Sequence, residues 1–259
     1  MNNQDEELRF YANNLGVDLF GVADLSSAKS YIENQGGKYV ASLPRSVSLG
    51  IRLLDQVIDQ LYNHNDLGSI SIYRGLYTTV NAALDRAVFM VAKKIQEDGF
   101  HAYMIPASSM LNNGKLEATF SHKVAANLAG LGWIGKNCLL ITPEYGPRVR
   151  FATVLTDAPL SAGSPIKNKC GDCTRCTDIC PSRAIQGRAF NSDELRDMRL
   201  KAELCDGYTE NRIKTFGDVN CGLCVFVCPH GNKRGTRLNF DKGNDTGFIP
   251  TKKTVNLKL

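Results

Sequence analysis

The sequence predicts an α+β protein in two parts. An N-terminal α/β sandwich-type domain with a mixed sheet is expected over residues 1–160, and a smaller cysteine-rich domain over 161–259. Three observations predict this. Helical and strand periodicities alternate up to residue 156. Eight of the nine cysteines fall between Cys170 and Cys228. Residues 157–169, Asp-Ala-Pro-Leu-Ser-Ala-Gly-Ser-Pro-Ile-Lys-Asn-Lys, have the Pro, Ser and Gly content of a linker.

The elements follow in order. Leu8, Tyr11 and Leu15 lie three or four apart and predict a helix over 5–16, stopped at Gly16. Residues 17–22 read as a buried strand, and a polar loop with Gly36-Gly37 follows. Leu43-Pro-Arg introduces a strand over 46–54, and residues 62–70 look turn-rich. Leu76, Val80, Leu84, Val88, Val91 and Ile95 mark one face of a long helix over 72–98, ended by Gly99. A strand over 100–105, a loop over 107–117 and a helix over 118–129 come next. Strands at 138–142 and 148–156 then suggest a hairpin over 137–156. A charged helix is expected near 192–204, with Ser192 as its N-cap.

Composition narrows the class. The chain has 259 residues and a formal charge of +5. No stretch approaches the ~20 apolar residues of a membrane span. The acidic start Met1-Asn-Asn-Gln-Asp-Glu-Glu lacks the basic and apolar regions of a secretory leader, so a cytoplasmic protein with no membrane contact is expected.

The cysteines carry the chemistry. Cys170-Gly-Asp-Cys173-Thr-Arg-Cys176-Thr-Asp-Ile-Cys180-Pro fits C-x2-C-x2-C-x3-C-P, the spacing of two-cluster bacterial ferredoxins. Cys221-Gly-Leu-Cys224-Val-Phe-Val-Cys228-Pro is one cysteine short, and Cys205 supplies it. Three close thiolates hold one cube, and the one before proline reaches the other. Cys170, Cys173, Cys176 and Cys228 are therefore assigned to one [4Fe–4S] cluster, and Cys180, Cys205, Cys221 and Cys224 to a second. Zinc does not require this interleaving, and a disulfide framework requires a secreted chain. Each cube with its thiolates carries about −2, which takes the +5 of the bare chain to about +1. The basic cluster His230, Lys233, Arg234 and Arg237, with Lys252, Lys253 and Lys258, then reads as solvated surface beside anionic clusters. RNA or an acidic donor protein remains the rival reading.

Smaller motifs stay open. Gly130-x-Gly132-x-x-Gly135 matches a dinucleotide fingerprint in spelling but follows a helix and precedes a strand, the reverse of the required context. Two readings remain: a loop that lets backbone approach a flat or phosphate-bearing ligand, with Lys136 as a point charge, and a structural turn. Trp133 stacks on a ligand or fills the core. Cys138, the ninth cysteine, reads as a small buried residue. His64, His101, His122 and His230 show no metal-ligand spacing.

Taken together, several stretches resemble the epoxyqueuosine reductase family of cobalamin-dependent iron–sulfur proteins, relatives of the reductive dehalogenases. They are Leu43-Pro-Arg-Ser-Val47, Tyr73-Arg-Gly-Leu-Tyr77, Ala129-Gly-Leu-Gly-Trp-Ile-Gly-Lys-Asn137 and both cysteine runs. The resemblance implies a corrinoid (cobalamin) between the two domains, reached by Gly130, Gly132, Trp133, Gly135 and Lys136. It implies electrons passing from a reduced ferredoxin- or flavodoxin-type donor through both cubes to cobalt. The family's proton-donating aspartate falls, by counting, near Leu116, beside Glu117, and its Asp-Tyr-His appears as Leu76-Tyr77-Thr78. No catalytic residue is assigned. The family's C-terminal helical-repeat domain has no counterpart here, so the expectation is a short form for which tRNA is an unlikely partner, acting on a small molecule or a corrinoid protein. A corrinoid-free electron carrier and a divergent tRNA epoxyqueuosine reductase are the alternatives.

Overall fold

The computed structural model describes residues 3–111, 116–217 and 220–231. The elements run α1 (Asn3–Asn14), β1 (Leu19–Asp24), α2 (Lys29–Ser42), β2 (Arg45–Arg52), α3 (Asp55–Asp59), α4 (Leu67–Glu97) and β3 (Ala102–Ile105). They continue α5 (His122–Leu128), β4 (Trp133–Ile134), β5 (Leu140–Ile141), β6 (Val149–Thr156), α6 (Arg175–Asp178), α7 (Ala202–Phe216) and α8 (Leu223–Phe226).

The main sheet has the order β1-β2-β6-β3 and is antiparallel throughout, so the mixed sheet expected from sequence is corrected. Neighbouring strand residues belong to opposite cores. Val22 and Val154 pack in one with Val47, Leu84 and Val88, whereas Ala23 and Leu155 pack in the other with Ile32, Phe120 and Ala125. Helices therefore cover both faces, α4 on one and α2 and α5 on the other. This is why β2 and β6 are buried on both alternations. The fold class is α+β, as the alternating periodicities predicted.

Local chemistry explains the shifts from expectation. α4 begins at Leu67 because Asp66 caps it, its carboxylate accepting the Ser69 N–H at 2.8 Å. The supposed loop at Gly36-Gly37 is helix on both sides of a kink at Gly37, where φ is 84°. A Cβ on Gly36 would stand 2.3 Å from the Thr119 carbonyl, so glycine permits that close approach. The hairpin expected over 137–156 is not formed: β5 pairs with β4, and β6 pairs with β2 and β3. The helix expected at 192–204 starts only at Ala202, because the Asn191 side chain accepts the Asp193 N–H at 3.0 Å and holds a turn.

The Pro/Ser/Gly stretch lies along the sheet, with Ala158 and Leu160 buried and the Gly163 N–H donating to Val22 O at 2.8 Å. One hydrophobic core also joins the two halves. Leu223, Val225 and Phe226 of α8 pack with Leu61, Tyr73 and Leu53. Within the N-terminal part, Arg148, 1 % exposed, donates to Asp55 Oδ1 at 3.2 Å and Asp59 Oδ1 at 2.6 Å.

Leu84 is fully buried at the centre of α4. Leu84→Ala should cost about 2–5 kcal/mol, read as a lower denaturant midpoint of the anaerobic holoprotein with unchanged slope.

Candidate metal centre and cavity

Each cysteine run is a tight loop leading into one helical turn, α6 or α8, and then into Cys-Pro. Gly171 and Gly222 adopt φ of 50° and 69° in these loops. A Cβ on Gly222 would strike Leu61 and Tyr73 within 2.8 Å, so the second loop fits against the core only with glycine there.

The thiols form two sets. Cys228 feels the charge of Cys170, Cys176 and Cys173, and Cys176 that of Cys173 and Cys170. Cys221 feels Cys205 and Cys180, and Cys224 feels Cys221, Cys205 and Cys180 more strongly than Cys176. Burial, reinforced by these neighbours, pushes Cys228 up to about 12 and Cys224 well above the usual thiol range. Such thiols ionise only where a cation enters the set, which is what iron supplies. Among the described residues no three His, Cys, Asp or Glu side chains close on a single-ion position. Eight thiols in two sets of four fit two polynuclear clusters.

The first set is backed by the β4–β5 hairpin. Trp133 Nε1–H donates to Cys170 Sγ at 3.5 Å, Lys136 Nζ donates to Cys173 O at 3.2 Å, and Asn137 Nδ2 donates to Cys224 O at 3.3 Å. The glycines serve the hairpin: a Cβ on Gly132 would stand 2.3 Å from Ile141 O. The turn closes through Cys138 N–H to Gly135 O at 2.9 Å, with Cys138 at a φ of 58°.

The second set opens onto a cavity of about 530 Å³, walled by Cys180, Cys205, Cys221 and Cys224 on one side and by α4, α5 and β6 on the other. That volume lies in the range of small-molecule and cofactor sites. Gly130, Gly132, Trp133, Gly135 and Lys136, expected at the corrinoid, do not line it. The hairpin turns Trp133 and Lys136 to the first thiol set, and Asn137, Cys138, Leu139 and Leu140 reach the cavity instead.

Sequence reasoning missed most of the far wall. His122 and Lys123 open α5, and Arg150 interrupts the apolar pattern of β6; that interruption was the available signal. Arg150 donates to Asn81 Oδ1 and to Ala107 O, both at 3.0 Å, and lies 4.2 Å from the Tyr77 ring centre. His122 Nε2–H donates to Pro106 O at 2.9 Å, so Nδ1 accepts the Thr153 hydroxyl at 2.8 Å. Burial pushes His122 down to about 4. Lys123 Nζ donates to Cys138 O at 3.0 Å. Burial lowers its pKa, against the opposing charge of Cys138 and with help from Arg199 and Arg196. Leu116 and Glu117 are not in the wall; the Leu116 carbonyl accepts Arg196 Nη1 at 2.8 Å. The basic residues Lys233, Arg234, Arg237, Lys252, Lys253 and Lys258 lie outside the described residues.

Comparison with known proteins agrees with the cysteine geometry. Residues 169–232 match the 4Fe-4S double cluster binding domain. An epoxyqueuosine reductase of Bacillus anthracis is 37% identical over 131 residues, 48% of this chain and 32% of that protein. Another, of Leadbetterella byssophila, is 27% identical over 255 residues, 88% of this chain and 80% of that protein. The chain spans about a third of the length of several curated relatives that it matches. Among solved structures, a reductive dehalogenase studied for B12-dependent dehalogenation has a TM-score of 0.69 at 21% identity, over 88% of this chain and 32% of that one. An epoxyqueuosine reductase with an epoxyqueuosine-modified tRNA-Tyr stem loop has a TM-score of 0.56 at 20% identity, over 88% and 65%. These structures share the fold. The expectation against tRNA is overturned: the curated relatives are epoxyqueuosine reductases, and one solved relative holds a tRNA stem loop. Among the described residues no helix is long and apolar enough to cross a membrane.

The His122 shift gives a pH dependence. Its folded value of about 4 lies below the 6.5 of the free side chain, so the fold disfavours the protonated form. Stability linked to His122 is complete above pH 6.5, declines as pH falls towards 4 and is constant below that. Roughly 1 kcal/mol should be lost between pH 7.5 and 5.5. Denaturation at both values, compared with His122→Gln, checks it: the variant should lack this part of the loss.

Proposed function

Because the chain belongs to the epoxyqueuosine reductase-like family of iron–sulfur proteins, we propose that it is a reductase passing electrons through two [4Fe–4S] clusters to a corrinoid in the cavity, with a modified base of tRNA as substrate. The observation that carries this is the position of the second thiol set, which forms a wall of the 530 Å³ cavity. A group bound there is in direct reach of that cluster. The first set lies behind the hairpin and suits entry of electrons from a ferredoxin- or flavodoxin-type donor. In this reading residues 1–160 supply the far wall, residues from 161 on carry the clusters, and the reaction is cytoplasmic.

The protein's own contribution is binding, exclusion of water and control of protons. Leu139, Leu140 and Val149 give the cavity apolar surface, while Asn137 and Ser121 offer hydrogen bonds to a corrin's amide side chains. A bound corrinoid supplies a low-potential, nucleophilic cobalt centre. Reducing an epoxide takes two electrons and two protons. Tyr77, Tyr208 and Lys123 carry exchangeable protons on the wall, and burial makes the Lys123 ammonium the readier to release one. His122 stays neutral, with both ring nitrogens engaged.

Anaerobically reconstituted protein should hold about eight iron atoms, and Cys224→Ser should lose about half of them. With hydroxocobalamin, near-stoichiometric cobalt should survive gel filtration, and the loaded protein with a reduced donor should convert epoxyqueuosine in tRNA. Full iron with no cobalt retained would leave an electron carrier and contradict the corrinoid reading.

A further inference from the structure

Trp133 is the single tryptophan of the chain and is 2 % exposed. Pairing with Ile141 fixes its backbone in β4. The His230 ring meets the indole edge-on at 4.9 Å, and Lys169 Nζ lies 6.0 Å from its centre. Ile141 and Cys228 pack beside it. The indole has one polar atom, a donor only, and that Nε1–H is aimed at Cys170 Sγ, 3.5 Å away. The sulfur is held too. Cys170 N–H donates to Asn168 Oδ1 at 2.8 Å, and Asn168 Nδ2 donates to Ile134 O at 3.0 Å, next to Trp133 in the strand. Donor and acceptor are thus fixed to one frame.

We propose that Trp133 sets the reduction potential of one cluster: its indole N–H···Sγ bond to Cys170 raises the potential of the cluster on Cys170, Cys173, Cys176 and Cys228. The proposal rests on the two-cluster reading above. Reduction of a cube takes one electron from a one-electron donor, which is oxidised in the same step, and leaves one more negative charge on the cube and its thiolates. A fixed N–H dipole aimed at a ligand sulfur stabilises that added charge, so the potential rises. The effect is confined to one cluster. Among the described residues the indole reaches no thiol of the second set, where Cys180 Sγ meets the Ser182 hydroxyl at 3.5 Å instead. Trp133 is a tuning residue that touches neither the cavity nor a substrate within it.

A single tryptophan makes the test selective. Holoprotein grown with 15N-indole tryptophan and then reduced should show a 15N hyperfine coupling to a paramagnetic cluster. Trp133→Phe keeps the bulk and removes the N–H. It should keep about eight iron atoms, and in an EPR-monitored redox titration one midpoint should move to more negative potential while the other stays. No 15N coupling in the native protein, or full iron with both midpoints unchanged, overturns the proposal. If the phenylalanine variant fails to take up iron, the labelled native protein decides. If the native protein holds no iron, the two-cluster reading fails and this proposal with it.

Discussion

Eight thiols gathered into two sets repel one another as soon as they ionise, and the rest of the molecule is arranged around that charge. Burial and neighbouring thiolates raise Cys176 and Cys228 of the first set and Cys205, Cys221 and Cys224 of the second. The native arrangement is therefore coupled to the cations that neutralise it. The surrounding chain meets each set differently. The β4–β5 hairpin brings Trp133 and Lys136 against the first set. The second is left facing a cavity, with α8 packed into the main hydrophobic core beneath it.

This asymmetry gives the molecule a direction. One set is enclosed by protein groups that donate to its sulfur and its backbone. The other shares a wall with Tyr77, His122, Lys123 and Arg150, residues from three separate elements. An antiparallel sheet covered by helices on both faces backs that wall. Asn137 joins the two regions, since it lies in the hairpin, lines the cavity and donates to Cys224 O at 3.3 Å.

The cysteine pattern was legible in the sequence because cluster binding constrains covalent spacing directly, and residues 169–232 match a 4Fe-4S double cluster binding domain. α4 was legible because its buried face repeats every three or four residues over its whole length. What was not legible depends on contacts distant in sequence or on strands too short to show a period. β4 and β5 have two residues each, and their pairing rests on a turn at Cys138 with positive φ, which nothing in the residue type announces. The glycines of 130–135 looked like a ligand loop because close backbone approach needs glycine whether the neighbour is a cofactor or another strand. Tyr77, His122, Lys123 and Arg150 were missed because they meet only in the folded chain. The antiparallel sheet order likewise depends on long-range pairing. tRNA looked an unlikely partner for want of a helical-repeat domain, and the relatives reverse that expectation.

The central claim is a relay in space: first thiol set, second thiol set, cavity. Anomalous diffraction at the iron and cobalt edges, from crystals grown anaerobically with hydroxocobalamin, tests it directly. The account predicts one iron density at Cys170, Cys173, Cys176 and Cys228, another at Cys180, Cys205, Cys221 and Cys224, and cobalt in the cavity nearer the second. Iron bound by a different partition of these cysteines, or cobalt absent from the cavity, would contradict it.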